Sequence, residues 1–315
     1  MNRAPMRIPD TLRFGVLLAV ATALISGVSI FVNGLAVKQL PDPAVYTTLK
    51  NAIAALVLAG LALTTIRPSE IRTVPAGAWG RLALIGLIGG SVPFLLFFGG
   101  LAQASAPSAA FIHKTLFIWV AILAVPFLGE RLGLAQLGAL AVLLVGQALI
   151  LTPAGVTWGT GETMIAAATL LWAVETIVAR RVLRTVPAAI VGAARLGFGL
   201  VVLVGYLVAT GSLAAVAALS AVQWGWILLT GLFLSGYVGT WFAALRRAPA
   251  SLVTAILVLG APMTAALQAF QTGHIPATPA LAGQLLVLAA GAALIGETLR
   301  RRRPATAPAT VADGG

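Results

Sequence analysis

The chain has 315 residues, of which 60% are apolar and only 9% are charged, and its mean hydropathy is +1.02. A soluble domain carries about 25% charged residues, so this sequence has too few polar groups to cover a surface that faces water. The absence of cysteine excludes disulfides, thiolate nucleophiles and cysteine-based metal sites. Lipid as the solvent removes the need for polar surface, and the composition therefore indicates an integral membrane protein.

The positive charges do not indicate a nucleic-acid partner, although the net charge is +12. They fall in short clusters between long apolar runs. That distribution is typical of the cytoplasmic loops of a membrane protein. The lipid bilayer is therefore the expected partner, and no nucleic acid is expected.

The apolar runs predict the membrane spans. A helix rises about 1.5 Å per residue, so roughly 20 apolar residues cross a hydrocarbon core about 30 Å thick. The first run has 24 residues without charge, which favours a spanning helix over a cleavable signal peptide. We predict an all-α membrane protein with ten transmembrane helices, numbered as spans 1 to 10: 14–37, 45–66, 80–101, 106–128, 133–151, 162–182, 188–209, 223–245, 249–271 and 279–298.

Lysine and arginine positions predict the orientation, because cytoplasmic loops collect them. With the N-terminus inside, sixteen of the 20 lie on the cytoplasmic side and Lys38 alone lies outside. The other three lie within spans and are Lys50, Lys114 and Arg195. We therefore expect a multi-pass protein of the inner (cytoplasmic) membrane with both termini in the cytoplasm.

Two terminal segments lie outside the predicted spans. Residues 1–13 are expected to form a short cytoplasmic segment, and residues 299–315 combine a basic cluster with a Pro/Ala/Thr-rich tail. Such a tail cannot bury enough apolar surface to fold, so we predict that it is disordered.

The two halves of the chain resemble each other. Ala106-Pro107 aligns with Ala248-Pro249, and Lys50 in span 2 aligns with Arg195 in span 7 at an offset of 145 residues. This similarity defines two five-helix repeats, at 14–151 and 162–298. Because five is an odd number, the second repeat is predicted to be inverted relative to the first, a recurrent plan of secondary transporters.

The run Ala106-Pro-Ser-Ala-Ala, followed by Leu128-Gly-Glu130-Arg and Gln136-Leu-Gly-Ala-Leu, resembles the EamA repeat of the drug/metabolite transporter superfamily. The resemblance covers roughly residues 14–298. The second half departs from the pattern, because Gly273-His274 stands where a Gly-Glu pair is expected. The resemblance implies a ten-helix transporter with both termini in the cytoplasm. It implies no substrate, since related proteins move amino acids, metabolites, nucleotide sugars or drugs.

Four ionisable residues within spans are candidates for function, because a charge in hydrocarbon costs about 2.5–3.5 kcal/mol on insertion scales. Glu175 is the only carboxylate that we place well within a span, and we predict that it is a proton-coupling group. A structural ion pair with Arg195 is the alternative, since both residues lie at similar depth on consecutive helices. The two interpretations can coexist.

Lys50 and Lys114 have no obvious acidic partner in the sequence. One carboxylate against three cations leaves an excess of two positive charges, which favours an anionic or zwitterionic solute if these residues face one cavity. The alternative is snorkelling to the interface, which is easier for Lys50 near the outer side than for the deeper Lys114.

Three further residues are weaker site candidates. His113 lies next to Lys114 but about 100° around the helix, so both are not expected to point fully into one cavity. Trp172, one turn before Glu175, and Asn33 are candidates for lining a cavity. The in-span prolines are expected to kink or interrupt helices, and they are Pro93, Pro126 and Pro262.

Glu130-Arg131 lies at the cytoplasmic end of span 4. We interpret this pair as a local ion pair with a contact to a helix end, and His274 as a loop or interface residue.

The main functional hypothesis is a secondary active transporter for a small polar, anionic or zwitterionic metabolite, whose flux is coupled to protons through Glu175. A multidrug or toxic-compound exporter on the same fold is the first alternative, and a membrane scaffold or intramembrane enzyme is the second. No catalytic motif, phosphate-binding loop or metal cluster occurs in the sequence, so we expect no enzyme, cofactor or metal. A monomer and a homodimer both remain open.

Overall fold

The computed structural model describes residues 8–40, 42–101, 103–104, 106–151 and 158–301. Within these ranges the chain is helical and contains no strand. Two 3₁₀ segments cover Val37–Gln39 and Ser212–Ala218, and a π-helical segment covers Gly86–Ser91. The α-helices are α1 (Ile8–Ala36), α2 (Pro43–Thr65), α3 (Pro68–Arg72), α4 (Ala76–Ile85), α5 (Val92–Leu101), α6 (Ala106–Lys114), α7 (Leu116–Leu128), α8 (Leu134–Leu151), α9 (Thr160–Val182), α10 (Ala188–Ala209), α11 (Ala221–Arg247), α12 (Ala250–Leu257), α13 (Gly260–Thr272) and α14 (Thr278–Arg301).

Nine helical runs in the described part of the chain are long and apolar enough to cross a membrane. They coincide with predicted spans 1–4 and 6–10, and a shorter apolar helix, Leu134–Ile150, lies at predicted span 5. The chain is therefore a multi-pass membrane protein. The nine runs are Thr11–Gln39, Pro43–Thr65, Ala76–Leu101, Ser108–Leu128, Thr160–Val182, Ala188–Ala209, Ala221–Arg247, Ala250–Thr272 and Thr278–Arg300.

The ends of the first and last helices differ from the predicted boundaries. Helix α1 begins at Ile8, so part of the predicted N-terminal segment is helical. Helix α14 continues to Arg301, so the basic cluster extends the last helix by about a turn. Charged residues just beyond a span continue a helix readily, because they face water rather than lipid. Residues 1–7 and most of the predicted tail, 302–315, lie outside the described residues.

Two spans are broken at corresponding places in the two halves. Helix α6 has nine residues and ends before Thr115, where α7 follows. Helix α12 has eight residues and is followed by Val258 and Leu259 before α13. Helix α6 begins at the Ala106-Pro107 pair and α12 begins directly after Ala248-Pro249, so the break is a property of the repeat.

The in-span prolines only partly explain the interruptions. Pro93 follows the π-helical segment, and Pro262 lies in the first turn of α13, close to the break. Helix α7, in contrast, continues through Pro126. Of the two expected effects, a kink or an interruption, the interruption does not occur at Pro126, and the break in this span falls at Thr115 instead.

Helices α7 and α13 end in the same way. Gly129 follows α7 with φ of 69°, and Gly273 follows α13 with φ of 68°. Only glycine adopts this left-handed conformation at little cost, so both helices stop at a glycine C-cap. The two glycines thereby fix where Glu130 and His274 leave the helix ends.

The two halves of the chain are interleaved rather than side by side. The most extensively packed helix pairs each join one helix before residue 152 to one after it: α1 with α11, α8 with α14, α5 with α9, and α2 with α10. The buried core therefore lies between the halves.

Glycines allow these crossings to be close. A Cβ atom at Gly199 of α10 would lie 2.7 Å from the carbonyl carbon of Gly90, and one at Gly283 of α14 would lie 2.5 Å from the carbonyl oxygen of Gly146. Neither position has room for a side chain. Small residues at helix crossings let backbones approach and gain dispersion energy in a lipid environment, where burial alone offers little.

Candidate functional site

A buried lysine on α2 lies in a cage of neutral groups. The Nζ atom of Lys50 donates to Oδ1 of Asn33 at 3.1 Å. It lies 4.9 Å from the ring centroids of Tyr46 and Phe98 and 5.6 Å from that of Phe94. Lys50 is 4% exposed, so its ammonium group does not reach an interface. The snorkelling alternative for Lys50 is therefore wrong.

The cage is held in place by hydrogen bonding on α1 and α2. Tyr46 donates its hydroxyl to the same Asn33 Oδ1 atom at 2.6 Å. The Asn33 amide nitrogen donates back to the carbonyl of Ser29 at 2.7 Å, which fixes the orientation of the amide. Within the described residues, no carboxylate forms an ion pair with Lys50. Its charge is therefore balanced only by an amide oxygen and aromatic faces, which attract cations electrostatically.

The second cluster is an ion pair between α9 and α10. Nε of Arg195 lies 3.4 Å from Oε1 of Glu175, and both side chains are almost fully buried. The geometry is that of an ion pair without a directed hydrogen bond, and neither of these two atoms has another hydrogen-bond partner. The predicted pair of Glu175 with Arg195 is therefore present.

A π-helical segment in the third span packs closely against this ion pair. The π-helical segment passes Glu175 so closely that a Cβ atom at Gly89 would lie 2.5 Å from Glu175 Cγ. Pro93 has no N–H to donate to the Gly89 carbonyl, as an ordinary helix would require. Nε1 of Trp172 donates to that carbonyl instead, at 3.1 Å. The backbone irregularity and the site are thus built together, as is common for π-helical segments.

An aromatic wall connects the two clusters. The ring of Trp172 lies 5.4 Å from Phe94, 5.7 Å from Phe97 and 5.0 Å from His113, measured between centroids. Phe94 also lies 5.8 Å from the guanidinium carbon of Arg195, so the same ring faces both Lys50 and Arg195.

Three polar atoms on α2 and α6 are buried without a hydrogen-bond partner among the described residues. They are Oγ1 of Thr47, Oδ1 of Asn51 and Nδ1 of His113. The Asn51 amide nitrogen is used, because it donates to the carbonyl of Gly90 at 3.2 Å. A buried polar atom without a hydrogen bond lowers stability by about 1–3 kcal/mol. A polar group of a solute that forms a hydrogen bond with one of these atoms would recover part of that cost.

The sequence candidates divide into those that the structure brings together and one that it does not. Ring contacts, the hydrogen bond to Asn33 and the ion pair of Glu175 join one set of candidates, namely Lys50, Asn33, Trp172, His113, Glu175 and Arg195. Lys114 is the C-terminal residue of α6 and is half-buried. Within the described part of the chain, no ion pair or ring contact links the Lys114 side chain to this set.

Several residues of the site were not singled out in the sequence. Tyr46 lies one turn before Lys50, and Asn51 directly follows it. Phe94, Phe97 and Phe98 lie three and four residues apart on one helix face. An aromatic residue one turn from an in-span lysine, facing a phenylalanine-rich span, is the signal that could have identified the cage.

A separate polar cluster lies at the arginine-rich end of the molecule. The carboxylate of Glu130 accepts hydrogen bonds from the backbone N–H of Ala250 at 2.6 Å and of Ser251 at 3.1 Å, and from the Ser251 hydroxyl. Glu130 thus contacts the N-terminus of α12 in the other half, and it forms no ion pair with Arg131. The expected local ion pair is wrong, and the contact with a helix end is made to the other half of the chain instead of locally, because unpaired N–H groups at a helix start attract a carboxylate.

A cavity of about 390 Å³ adjoins Glu130. The arginines in its wall are Arg131, Arg180 and Arg184. This cavity lies away from the aromatic wall, and no group of metal-ligating side chains occurs among the described residues.

A family model described as "EamA-like transporter family" matches residues 13–152 and 159–296. No match was found among curated proteins. A solved crystal structure of a protein is similar to this chain with a TM-score of 0.73 and 19% sequence identity, covering 93% of this chain and 99% of that chain. At this identity the similarity shows a shared fold alone.

Proposed function

Because the chain belongs to the EamA-like transporter family, we propose that it is a secondary active transporter built from ten transmembrane helices. Leu134–Ile150 serves as the fifth span, since it packs extensively against α14 and shares with it the close Gly146–Gly283 crossing. The repeats, 14–151 and 162–298, are inverted relative to each other. Both termini lie on the cytoplasmic side of the inner membrane, as the lysine and arginine distribution supports.

The solute is a small polar, anionic or zwitterionic metabolite. The observation that carries this proposal is the Lys50 ammonium group, which is buried among neutral groups and has no carboxylate partner among the described residues. An anionic group beside it would supply the missing negative charge and gain a charge-assisted hydrogen bond. The unsatisfied atoms of Asn51 and His113 offer further contacts for a polar solute.

Glu175 couples transport to protons. In the observed arrangement its carboxylate balances Arg195 across a distance of 3.4 Å, without a directed hydrogen bond. If Glu175 takes up a proton, Arg195 keeps its charge and loses its counter-ion. The anionic group of the solute would then replace the carboxylate, so that proton and solute binding favour each other.

The first experiment measures uptake and counterflow into proteoliposomes for a panel of amino acids, organic acids and organic cations, with and without a pH gradient. Lys50→Met is compared with wild type and with Lys38→Met, which removes an exposed lysine near the same membrane face. We expect an anionic or zwitterionic solute to move, with counterflow reduced at least about tenfold by Lys50→Met and unchanged by Lys38→Met. If only organic cations move, the result supports the multidrug exporter. If no solute moves, the result supports the membrane scaffold.

Proton coupling is tested separately with Glu175→Gln. We expect this variant to lose the flux driven by a pH gradient and to keep solute exchange, because exchange does not require net proton movement. Retained exchange also shows that the variant is folded. A Glu175→Gln variant that still responds fully to the pH gradient would contradict the coupling role and leave Glu175 as half of a structural ion pair.

A further inference from the structure

Glu130 ties the two halves of the molecule together at one end. It follows the glycine C-cap of α7, and its carboxylate accepts hydrogen bonds from two backbone N–H groups and one hydroxyl at the start of α12, 120 residues later in the chain. All eight residues of α12 are buried. Hydrogen bonds to a carboxylate at a helix N-terminus are among the stronger ones, because charge and helix dipole act together.

At the corresponding place in the second half, His274 forms no hydrogen bond to the other half within the described residues. His274 follows the glycine C-cap of α13, but it is exposed, and its Nδ1 atom contacts the carbonyl of Thr272 in its own loop at 2.8 Å. The helices differ accordingly. Helix α7 packs against α12 as well as α9, whereas the counterpart pair, α13 with α6, does not pack extensively. Helix α6 packs mainly against α8 and α9, and α13 packs mainly against α1. Among the described residues, a carboxylate that caps a helix start in the other half is found only at the arginine-rich end of the broken helices.

The Glu130 carboxylate also has alternative partners close by. The cavity beside it is lined by Arg131, Arg180 and Arg184, and Glu130 itself forms part of the wall. A carboxylate released from α12 can therefore pair with a guanidinium group nearby, so release does not leave an isolated charge. Two favourable positions for one side chain are what a bistable element needs.

We propose that Glu130 is a latch that holds α7 against α12 and keeps the arginine-rich end of the transport path closed, and that transport requires its release. The inference rests on the proposed transporter function, in which the two ends of the path open in turn. Because the described residues contain no equivalent of Glu130 at the other end, loss of the latch shifts the molecule toward the state that is open at the arginine-rich end.

The experiment uses the natural absence of cysteine in the chain, which lets single cysteines report accessibility in the full-length protein. Thr254→Cys places a thiol one turn into α12, at a position now 2% exposed. Ser29→Cys places a second thiol beside Asn33, at the aromatic cage. Each is labelled with a membrane-impermeant maleimide in right-side-out and inside-out vesicles, with and without Glu130→Gln. Glu70→Gln, which changes an exposed carboxylate near the arginine-rich end, is the matched control.

We expect Glu130→Gln to raise labelling of Thr254→Cys at least about tenfold and to lower labelling of Ser29→Cys, because charge-assisted hydrogen bonds now stabilise the closed end. Glu70→Gln should change neither. Ser251→Ala, which removes only the hydroxyl bond, should shift both thiols in the same directions to a smaller extent. This smaller shift tests the latch even if Glu130→Gln fails to fold.

Two results would overturn the latch. If both thiols become more reactive, Glu130 is a structural cap whose loss loosens the protein. If neither thiol changes, the contact does not control access. Labelling needs no solute, so an error in the proposed solute would leave this result standing. Labelling of Thr254→Cys from the outer side would contradict the proposed orientation without affecting the latch.

Discussion

Lys50 and Arg195 occupy corresponding positions in the two halves, yet their surroundings have become different. Arg195 has a carboxylate partner on the preceding helix, whereas the described partners of the Lys50 ammonium group are an amide oxygen and three aromatic rings. The same ring, Phe94, faces both cations. One repeat thus carries a neutralised charge and the other an unneutralised one, so a symmetric scaffold presents an asymmetric site. This difference predicts that removing the counter-ion of Arg195 destabilises the protein, whereas removing Lys50 weakens solute transport without destabilising it.

The largest effect on stability is expected where charges are paired. Glu175→Gln leaves Arg195 buried without a counter-ion, so we expect the free energy of unfolding to fall by about 3–5 kcal/mol. Adding Arg195→Met should recover most of this loss, because the double variant buries no unpaired charge. Thermal unfolding of the detergent-solubilised variants measures both values. Equal stability of the single and double variants would show that the two side chains do not interact energetically.

The opposite outcome is expected for the caged lysine. Lys50→Met removes a buried charge without leaving a carboxylate unpaired, so the free energy of unfolding should stay unchanged or rise, although counterflow falls. The same thermal unfolding measurement, beside the counterflow assay, tests this separation. A loss of more than about 2 kcal/mol would mean that Lys50 supports the fold as strongly as a paired charge does, and the contrast between the two cations would disappear.

A smaller effect tests whether the helix crossing beneath Arg195 holds the two cations in position. Gly199→Ala would place a methyl group 2.7 Å from the Gly90 backbone, so we expect the free energy of unfolding, measured by thermal unfolding, to fall by about 1–3 kcal/mol. Gly197→Ala on the same helix is the matched control, since nothing lies within 4 Å of a Cβ atom there. That control should be neutral or stabilising by up to about 1 kcal/mol, because alanine is the better helix former. Similar losses in both variants would contradict close packing as the cause.

The smallest effect concerns the hydrogen bond that orients the cage. Tyr46→Phe removes the hydroxyl bond to Asn33 and keeps the aromatic face over Lys50. We expect the apparent solute affinity to fall by less than about tenfold, in line with a hydrogen bond of roughly 0.5–1.5 kcal/mol. Tyr206→Phe, which changes an exposed tyrosine on α10, should have no effect. A loss as large as that of Lys50→Met would mean that the hydroxyl itself binds the solute.

The spans and one part of the site could be predicted from the sequence because they depend on local or consecutive segments. Apolar runs of about 20 residues place the helices, since lipid leaves few other ways to satisfy the backbone. The pair of Glu175 with Arg195 follows from two consecutive helices and similar depth. The breaks at Thr115 and at Val258 were not predicted, because neither position carries a proline and the local sequence resembles the rest of the span.

The remaining contacts depend on which helices become neighbours, and the sequence does not contain that information in an evident form. Phe94 and Phe98 lie in an apolar run where an aromatic residue facing lipid looks the same as one facing Lys50. The partner of Glu130 is a helix start 120 residues away. The Gly90–Gly199 and Gly146–Gly283 crossings likewise join halves, so a glycine spacing within one helix does not identify the partner.

The interleaving of the halves also determines when the protein can fold during synthesis. The helices before residue 152 leave the ribosome before the helices that they pack against exist, since α1, α2, α5 and α8 each find their main partner after residue 152. Their glycine-lined faces can only meet lipid or each other until α9 to α14 have been inserted. Insertion of the helices and their final packing are therefore separate stages. A chain that ends after the first half would insert into the membrane but would lack the partners needed for a native core, and it would be exposed to membrane quality control.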